Sequence, residues 1–79
     1  MYVDITIDLK NYNSSIFDLR ISNYHSIRTM IDMVWQVQNL MEPPRDGYWI
    51  RVDNKEKVHG GYEKLIHANI TSGDRIEIL

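Results

Sequence analysis

The sequence contains no cysteine and only two prolines and four glycines among its 79 residues. Without cysteine there is no disulfide or thiolate zinc site, so apolar packing has to hold the chain together. No run approaches the roughly 18 apolar residues of a membrane-spanning helix, and no basic segment followed by an apolar one opens the chain. We therefore expect one small cytoplasmic domain over residues 1–79, without direct membrane insertion.

Neither sign of charge dominates the chain. Nine lysines and arginines face eleven acidic residues, a net charge of -2, and the basic residues are scattered along the sequence. A nucleic-acid-binding domain usually concentrates basic residues in a stripe or patch. Nucleic acid is therefore not an expected partner.

Apolar and polar residues alternate strictly at the start of the chain. The positions Val3, Ile5, Ile7 and Leu9 are apolar, and Tyr2, Asp4, Thr6 and Asp8 lie between them. Such alternation is typical of a half-buried strand. It resumes at Phe17, Leu19 and Ile21 after a turn-forming stretch, which predicts an antiparallel hairpin. Placing Phe17 opposite Ile7 puts Arg20 beside Asp4 on the solvent face.

A single helix is predicted from about Ser26 to Leu40. Ser26 is a good N-cap residue, and Pro43–Pro44 stops the helix because a residue before proline is pushed out of the α region. The apolar stripe consists of Ile27, Met30, Val34, Val37 and Met41, at helical spacing. Ile31 lies on its flank, and Trp35 lies further round, which makes it the helix residue that the core explains least.

The second half of the chain predicts three shorter strands. Residues 48–52 alternate, with Ile50 and Val52 facing inward, residues 53–55 form a turn, and a short segment through Val58 follows. Residues 75–79 form the last strand. Two strands, a helix and three strands indicate an α+β fold, with one helix across one face of a mixed sheet of about five strands.

No residues in the sequence point to catalysis. The three histidines, His25, His59 and His67, lack metal-ligand spacing, and no nucleophile stands beside an activating base. Asp4 and Asp8 alternate with apolar residues, so a solvated strand face explains them better than a pair of catalytic carboxylates. We expect no enzyme activity, no cofactor, no metal site and no small-molecule substrate.

The closing segment, residues 62–79, resembles that of ubiquitin-like domains. Its apolar positions are Leu65, Ile70, Ile76 and Ile78, and the opening hairpin, the capped helix and the Pro-Pro pair also match in order and spacing. The resemblance covers the whole chain and implies the ubiquitin-like β-grasp fold. In length, opening and ending, the chain is similar to the YukD family, small ubiquitin-like components of type VII (WXG100, Yuk/Ess) secretion systems in Gram-positive bacteria.

This resemblance implies a non-enzymatic accessory protein that supports or regulates export of WXG100 proteins. Its partners would be proteins, the membrane-bound components of the secretion machinery, which would recruit it to the inner face of the membrane. The alternative is a ubiquitin-type covalent modifier or a sulfur carrier. That role needs glycines at the extreme C-terminus, whereas the one diglycine, Gly60–Gly61, is followed by further residues up to Leu79. We expect Gly60–Gly61 to form a turn that uses the dihedral freedom of glycine.

The resemblance also implies a candidate interaction surface. With the inward residues of the third and last strands aligned to ubiquitin, Arg51, Glu77 and Leu79 occupy positions of its apolar patch. Arg51 and Glu77 are then an exposed pair across the two strands. The same register puts Trp49 outward beside Leu79, with Tyr12 at the nearby hairpin tip, and exposed tryptophan and arginine are frequent in interface hot spots. Alternatively, Trp49 folds over the sheet edge, and Trp35 is a secondary candidate.

Overall fold

The computed structural model describes residues Met1–Leu79 and has α+β architecture. The chain forms β1 (Tyr2–Asp8), β2 (Ile16–Ser22), α1 (Ile27–Gln38), β3 (Ile50–Val52), a short 3₁₀ helix (Asp53–Lys55), β4 (Lys57–His59) and β5 (Arg75–Ile78). The strands make one mixed sheet in the order β2-β1-β5-β3-β4. The predicted fold class is confirmed, with α1 packed on one face of the sheet, called here the inner face; the opposite face is the outer face. No helix is long and apolar enough to cross a membrane.

The β1–β2 hairpin has the predicted register. Ile7 lies opposite Phe17, Ile5 opposite Leu19, and Asp4 opposite Arg20. On the outer face, Arg20 Nε lies 3.7 Å from Asp4 Oδ1. The register follows from strand geometry, because a slip by one residue would turn the whole apolar set of β2 toward solvent.

The last strand, β5, joins the two halves of the sheet. It runs parallel to β1, with Ile7 beside Ile76, and antiparallel to β3, with Ile50 opposite Ile78. The predicted pairing of the last strand with both the first and the third is confirmed. The core lies between this sheet and α1 and is wholly apolar; its seventeen residues are Val3, Ile5, Ile7, Leu9, Ile21, Ile27, Met30, Ile31, Val34, Trp35, Ile50, Val52, Leu65, Ala68, Ile70, Ile76 and Ile78.

The helix begins as predicted but ends earlier. Ser26 Oγ accepts a hydrogen bond from the Thr29 backbone N–H at 3.1 Å, which confirms the N-cap. At the other end Asn39 adopts a left-handed conformation, with φ 50°, and its N–H donates to the carbonyls of Gln36 and Trp35. Asparagine tolerates this conformation and commonly closes helices. The helix therefore stops at Gln38, before the prolines could act.

The early end corrects the predicted apolar stripe. Val37, in the last turn, is 62% exposed and Met41, beyond the helix, is 96% exposed. The buried stripe instead comprises Ile27, Met30, Ile31, Val34 and Trp35, a spacing of three and four residues that covers the sheet. The prediction that Val37 and Met41 lie in the core is wrong. Val37 lies on α1 but outside the stripe that faces the sheet, and the helix ends three residues before Met41.

Trp35 was expected to be the helix residue least explained by the core, and this expectation is also wrong. Its side chain is only 9% exposed, and its Nε1 donates a hydrogen bond to the Glu42 carbonyl at 2.6 Å. The ring of Tyr12 meets it edge-on, with centroids 4.8 Å apart. The hairpin tip and the segment after the helix enclose this side of α1. The periodicity of the helix sequence cannot reveal these contacts.

Candidate protein-interaction surface

One row of side chains crosses the outer face through all five strands. Strand registers pair Ile16 with Asp8, Asp8 with Glu77, Glu77 with Arg51, and Arg51 with Val58. The apolar residues at the two edges, Ile16 and Val58, are exposed, whereas the two carboxylates near the centre are buried. The outer face thus has an ionic centre between two apolar margins.

Asp8 corrects the expectation of a solvated strand face. It is 2% exposed, and its Oδ2 accepts a hydrogen bond from Arg75 Nη2 at 2.9 Å. Its Oδ1 accepts from the Lys10 backbone N–H at 3.0 Å. The expectation holds for Asp4, which is exposed. The difference arises because parallel pairing with β5 brings Arg75 over Asp8, and alternation within β1 does not reveal this.

Glu77 lies opposite Arg51 as expected, with Arg51 Nη1 3.4 Å from its Oε1. However, the pair is not an exposed one, since Glu77 is only 6% exposed. Lys10 Nζ lies 3.8 Å from the same oxygen, and Asn11 Nδ2 donates to Oε2 at 3.0 Å. Lys10 and Asn11, in the turn after β1, cover the carboxylate. The Glu77 side chain is therefore a structural part of the sheet rather than an exposed one.

The cations of this cluster remain partly in solvent. The side chains of Lys10, Arg51 and Arg75 are 54%, 48% and 44% exposed, while those of Asp8 and Glu77 beneath them are 3% and 7% exposed. A molecule approaching the centre of the outer face meets guanidinium and ammonium groups rather than carboxylates. We call Lys10, Arg51 and Arg75 the cationic centre.

Trp49 lies beside the cationic centre and is 51% exposed. Continuing the strand registers places it between Gly60 of the β4 edge and Leu79, whose N–H donates to the Trp49 carbonyl at 2.9 Å. A Cβ on Gly60 would lie 3.2 Å from Trp49 Cζ3, and one on Gly47 2.3 Å from its Nε1. The indole therefore rests on two glycines, with about half of its surface in solvent.

The Gly60–Gly61 pair lies in a packed loop, but the predicted reason for having glycine there is wrong. Neither glycine has a positive φ; among the glycines, only Gly47 and Gly73 do. Close approach is what requires glycine here, because a Cβ on Gly61 would lie 2.6 Å from Tyr48 Cβ. The Gly61 N–H also donates to the Gly47 carbonyl at 2.9 Å. The lack of a side chain, rather than dihedral freedom, explains the pair.

Leu79 and Tyr12 meet at one end of the sheet. The Leu79 carbonyl accepts hydrogen bonds from Tyr12 Oη at 3.3 Å and from Arg45 Nη1 at 2.9 Å. The Tyr12 ring, however, packs against Trp35 of the helix, with the Arg45 guanidinium 5.5 Å from its centroid. Of the candidate residues, the structure brings Trp49, Arg51, Glu77 and Leu79 together, and Tyr12 contributes mainly its hydroxyl.

Sequence reasoning missed Lys10, Arg75 and the glycines beneath Trp49. Lys10 and Arg75 reach the candidate surface through the parallel β1–β5 pairing, which joins residues 69 positions apart, such as Thr6 and Arg75. For Lys10, the sequence offered one signal of a place on the candidate surface, namely its position directly after the predicted first strand. No group of three or more His, Cys, Asp or Glu side chains is arranged to hold a metal ion.

A third buried carboxylate, Asp74, lies at the other end of the sheet. Asp74 accepts hydrogen bonds from Lys55 Nζ and Asn54 Nδ2, both at 2.8 Å, and from the Thr71 N–H at 2.9 Å. Burial by itself raises the pKa of Asp74, but these hydrogen bonds and the charge of Lys55 outweigh burial and leave the pKa below its ordinary value of 3.8. Asp74 therefore ties the 3₁₀ helix to the start of β5.

Solved structures share this architecture. The chain is similar to a ubiquitin from Caldiarchaeum subterraneum, with a TM-score of 0.74 and 17% identity over 99% of this chain and 91% of that one. It is also similar to the C-terminal ubiquitin-like domain of mouse tubulin-specific chaperone e, with a TM-score of 0.70 and 8% identity over 99% and 84% of the two chains. The fold is the ubiquitin-like β-grasp, as the sequence resemblance predicted.

Sequence comparison then identifies the family. The family described as "WXG100 protein secretion system (Wss), protein YukD" matches residues 2–78. A curated relative, the ESX secretion system protein YukD of Bacillus subtilis (strain 168), is 60% identical over 79 residues and the full length of both chains. The chain belongs to the YukD family.

Proposed function

We propose that the protein is a non-enzymatic interaction module that supports or regulates WXG100 protein export, and that it docks through its outer face on membrane-bound components of the secretion machinery. The protein acts in the cytoplasm and reaches the inner face of the membrane through this protein partner. The docking surface comprises Trp49, Arg51 and Leu79, with Glu77 holding Arg51 in place and Tyr12 holding the Leu79 carbonyl. Family membership and the relative named as a secretion system protein support the role.

The observation that supports this surface most strongly is the half-exposed indole of Trp49. The ring packs directly on the two glycines, where a side chain would collide with it, and Gly47 holds a φ of +88° that side chains rarely adopt. Beside it stands the cationic centre, whose charges are partly balanced by the buried carboxylates of Asp8 and Glu77 beneath it. Covering a rigid tryptophan next to arginines stabilises many protein interfaces, because desolvating the ring contributes about 2 kcal/mol or more.

The test is capture of secretion components from membranes of the native cells with the tagged protein, together with export of a WXG100 substrate. Trp49→Ala is expected to reduce both capture and export by about tenfold or more, while the purified variant keeps its fold. Tyr24→Ala is the matched control, because Tyr24 is an exposed aromatic residue in the turn between β2 and α1. Export should be unchanged in that strain.

The outcomes separate docking from folding. Normal capture and export with Trp49→Ala would show that the docking surface lies elsewhere. A large fall in melting temperature for Trp49→Ala would make the residue structural. Trp35, the secondary candidate, is unsuitable as a docking residue, because it is buried against Tyr12; Trp35→Ala should instead lower the melting temperature.

The proposed role does not involve conjugation to other proteins. The diglycine that could suggest a modifier lies in a loop packed against Tyr48 and Gly47, so it is not available to enter an activating enzyme. Mass spectrometry of the protein from its native cells is expected to find the unmodified chain. A covalent adduct with another protein, or a C-terminal thiocarboxylate, would instead support the modifier or sulfur-carrier alternative.

A further inference from the structure

We infer that two copies of this chain pair along their β2 strands, antiparallel and centred on Leu19, to form a symmetric dimer with one continuous ten-stranded sheet. The inference is independent of the proposed docking surface. β2 is the edge of the sheet farthest from β3 and β4, so Trp49 and Arg51 stay free in such a dimer.

The β2 edge is long and uncovered. It spans seven residues, Ile16–Ser22, with neither proline nor glycine, whereas the other edge strand, β4, has three residues. Long unpaired edges favour pairing with another strand, and proteins that stay monomeric protect them with proline, bulges, shortness or charged side chains. Of these devices, β2 has only the two charged residues Asp18 and Arg20. The seven residues of β2 pair with β1 in an unbroken register, without a bulge.

The backbone groups that point away from β1 can be identified from the hairpin itself. The Leu9 N–H donates to the Ser15 carbonyl, and the Asn23 N–H to the Met1 carbonyl, both at 2.8 Å. Hydrogen-bonded pairs alternate along an antiparallel ladder, so Phe17, Leu19 and Ile21 direct their backbone groups toward β1. The residues between them, Asp18 and Arg20 above all, direct theirs toward solvent.

This alternation leaves few registers for a symmetric pair. The backbone groups of β2 that point to solvent have to hydrogen-bond to the same kind of groups in the second copy. The register between the two strands can therefore change only in steps of two residues. Centring on Leu19 places Asp18 opposite Arg20 of the second copy at two equivalent points. The neighbouring registers place Asp18 opposite Asp18, or Arg20 opposite Arg20. Opposite charges across strands stabilise a pair and like charges destabilise it, so one register is selected.

The inner face of the pair is apolar in the same register. Phe17 comes opposite Ile21 of the second copy, and Leu19 opposite its own equivalent. Phe17 and Leu19 are only half-buried in the single chain, although they pack against the core. Pairing would cover their remaining exposed surface, which adds a hydrophobic contribution to the new backbone hydrogen bonds.

Because the chain has no cysteine, a single introduced thiol tests the register. In Leu19→Cys the two thiols belong to a pair without backbone hydrogen bonds, with Cα atoms about 4.5 Å apart, within the roughly 4.4 to 6.8 Å of natural disulfides. Under mild oxidation this variant should form a covalent dimer. Phe17→Cys is the control, since its thiols would stand four residues apart along the strand, about 13 Å, and it should stay largely monomeric.

Charge reversal tests the same register without cross-linking. By analytical ultracentrifugation, Asp18→Arg and Arg20→Asp should each weaken self-association by about tenfold or more, because each puts like charges opposite at two points. The double variant Asp18→Arg/Arg20→Asp restores the opposite pairs and should associate within about threefold of the natural chain. Melting curves check that all three variants fold.

Two results would overturn the inference. One is a natural chain that remains monomeric at concentrations up to about 1 mM, the weak end of the affinity scale. The other is oxidation of Leu19→Cys no faster than that of Phe17→Cys, which would show that any association uses another edge or register.

Discussion

The two faces of the sheet show different relations between sequence and structure. The inner face is apolar on β1, β2, β3 and β5, with Lys57 and His59 of the edge strand β4 as its polar residues. One helix covers it, and most of its apolar residues are fully buried. The outer face contains two buried side chains, and both are carboxylates, those of Asp8 and Glu77. Apolar packing needs only the right residues on one side, whereas each buried charge needs a particular partner.

This difference explains why one face was easier to predict. An apolar residue accepts many apolar neighbours, so alternation alone predicts which side of a strand is inside. A carboxylate is buried only where cations and donors surround it, and here they come from Lys10, Arg51 and Arg75. Substitutions on the two faces should therefore differ in their cost to stability.

The largest effect is expected in the centre of the inner face. Val34 is fully buried, and Val34→Asp places a carboxylate there without any cation beside it. The loss is about 4 kcal/mol or more, which removes most of the stability of a domain at the lower end of the usual range of about 5 to 15 kcal/mol. Circular dichroism should show loss of helix. The matched control is Val37→Asp, one turn later and exposed, which should cost under about 0.5 kcal/mol; equal losses would contradict the observed orientation of the helix.

On the outer face, Glu77→Gln should have a smaller effect. The amide keeps the shape but leaves Arg51 without a counter-charge, leaves Lys10 with only Asp8, and places a donor among donors. Because both cations are half exposed, water compensates in part, and the expected cost is about 1 to 3 kcal/mol in urea unfolding. Asp4→Asn, at an exposed pair with Arg20, should cost under about 0.5 kcal/mol. Equal costs would mean that Glu77 is as well solvated as Asp4.

Asp74 should make stability depend on acid. Its pKa is lower in the folded chain than the ordinary 3.8, so its stabilising effect is complete above that value and disappears as the pH falls through the folded pKa. The expected gap in melting temperature between the natural chain and Asp74→Asn is constant from neutral pH to about pH 5 and narrows below 3.8. A gap that widened in acid would contradict the assigned hydrogen bonds.

The smallest effect is expected at Trp49. About half of the Trp49 side chain is already in solvent, and the ring packs on glycines that offer no side chains. Trp49→Ala should therefore lower the free energy of unfolding by only about 1 kcal/mol in thermal unfolding. The buried Trp35 is the comparison within the same chain, and Trp35→Ala should cost about 3 to 5 kcal/mol. Similar values for the two would show that Trp49 is a core residue rather than a surface one.

The residues that sequence patterns placed correctly share one property. The alternation of β1 and β2, the Ser26 cap and the inward Ile50 and Val52 all depend on neighbours within a few residues. The register of the hairpin follows as well, because its two strands are adjacent in sequence. The Arg51–Glu77 pairing needed more, namely the alignment to ubiquitin-like domains.

Patterns within the sequence were therefore sufficient to predict the inward side of the strands, the fold class and the family resemblance. The burial of Asp8 and Glu77, the core position of Trp35, and the placement of Gly47 and Gly60 under Trp49 depend on tertiary contacts. The physical reason is distance along the chain. Periodicity reports the geometry of one element at a time, whereas these environments are created where β1 meets β5, the hairpin tip meets α1, and Gly47 meets the β4 edge.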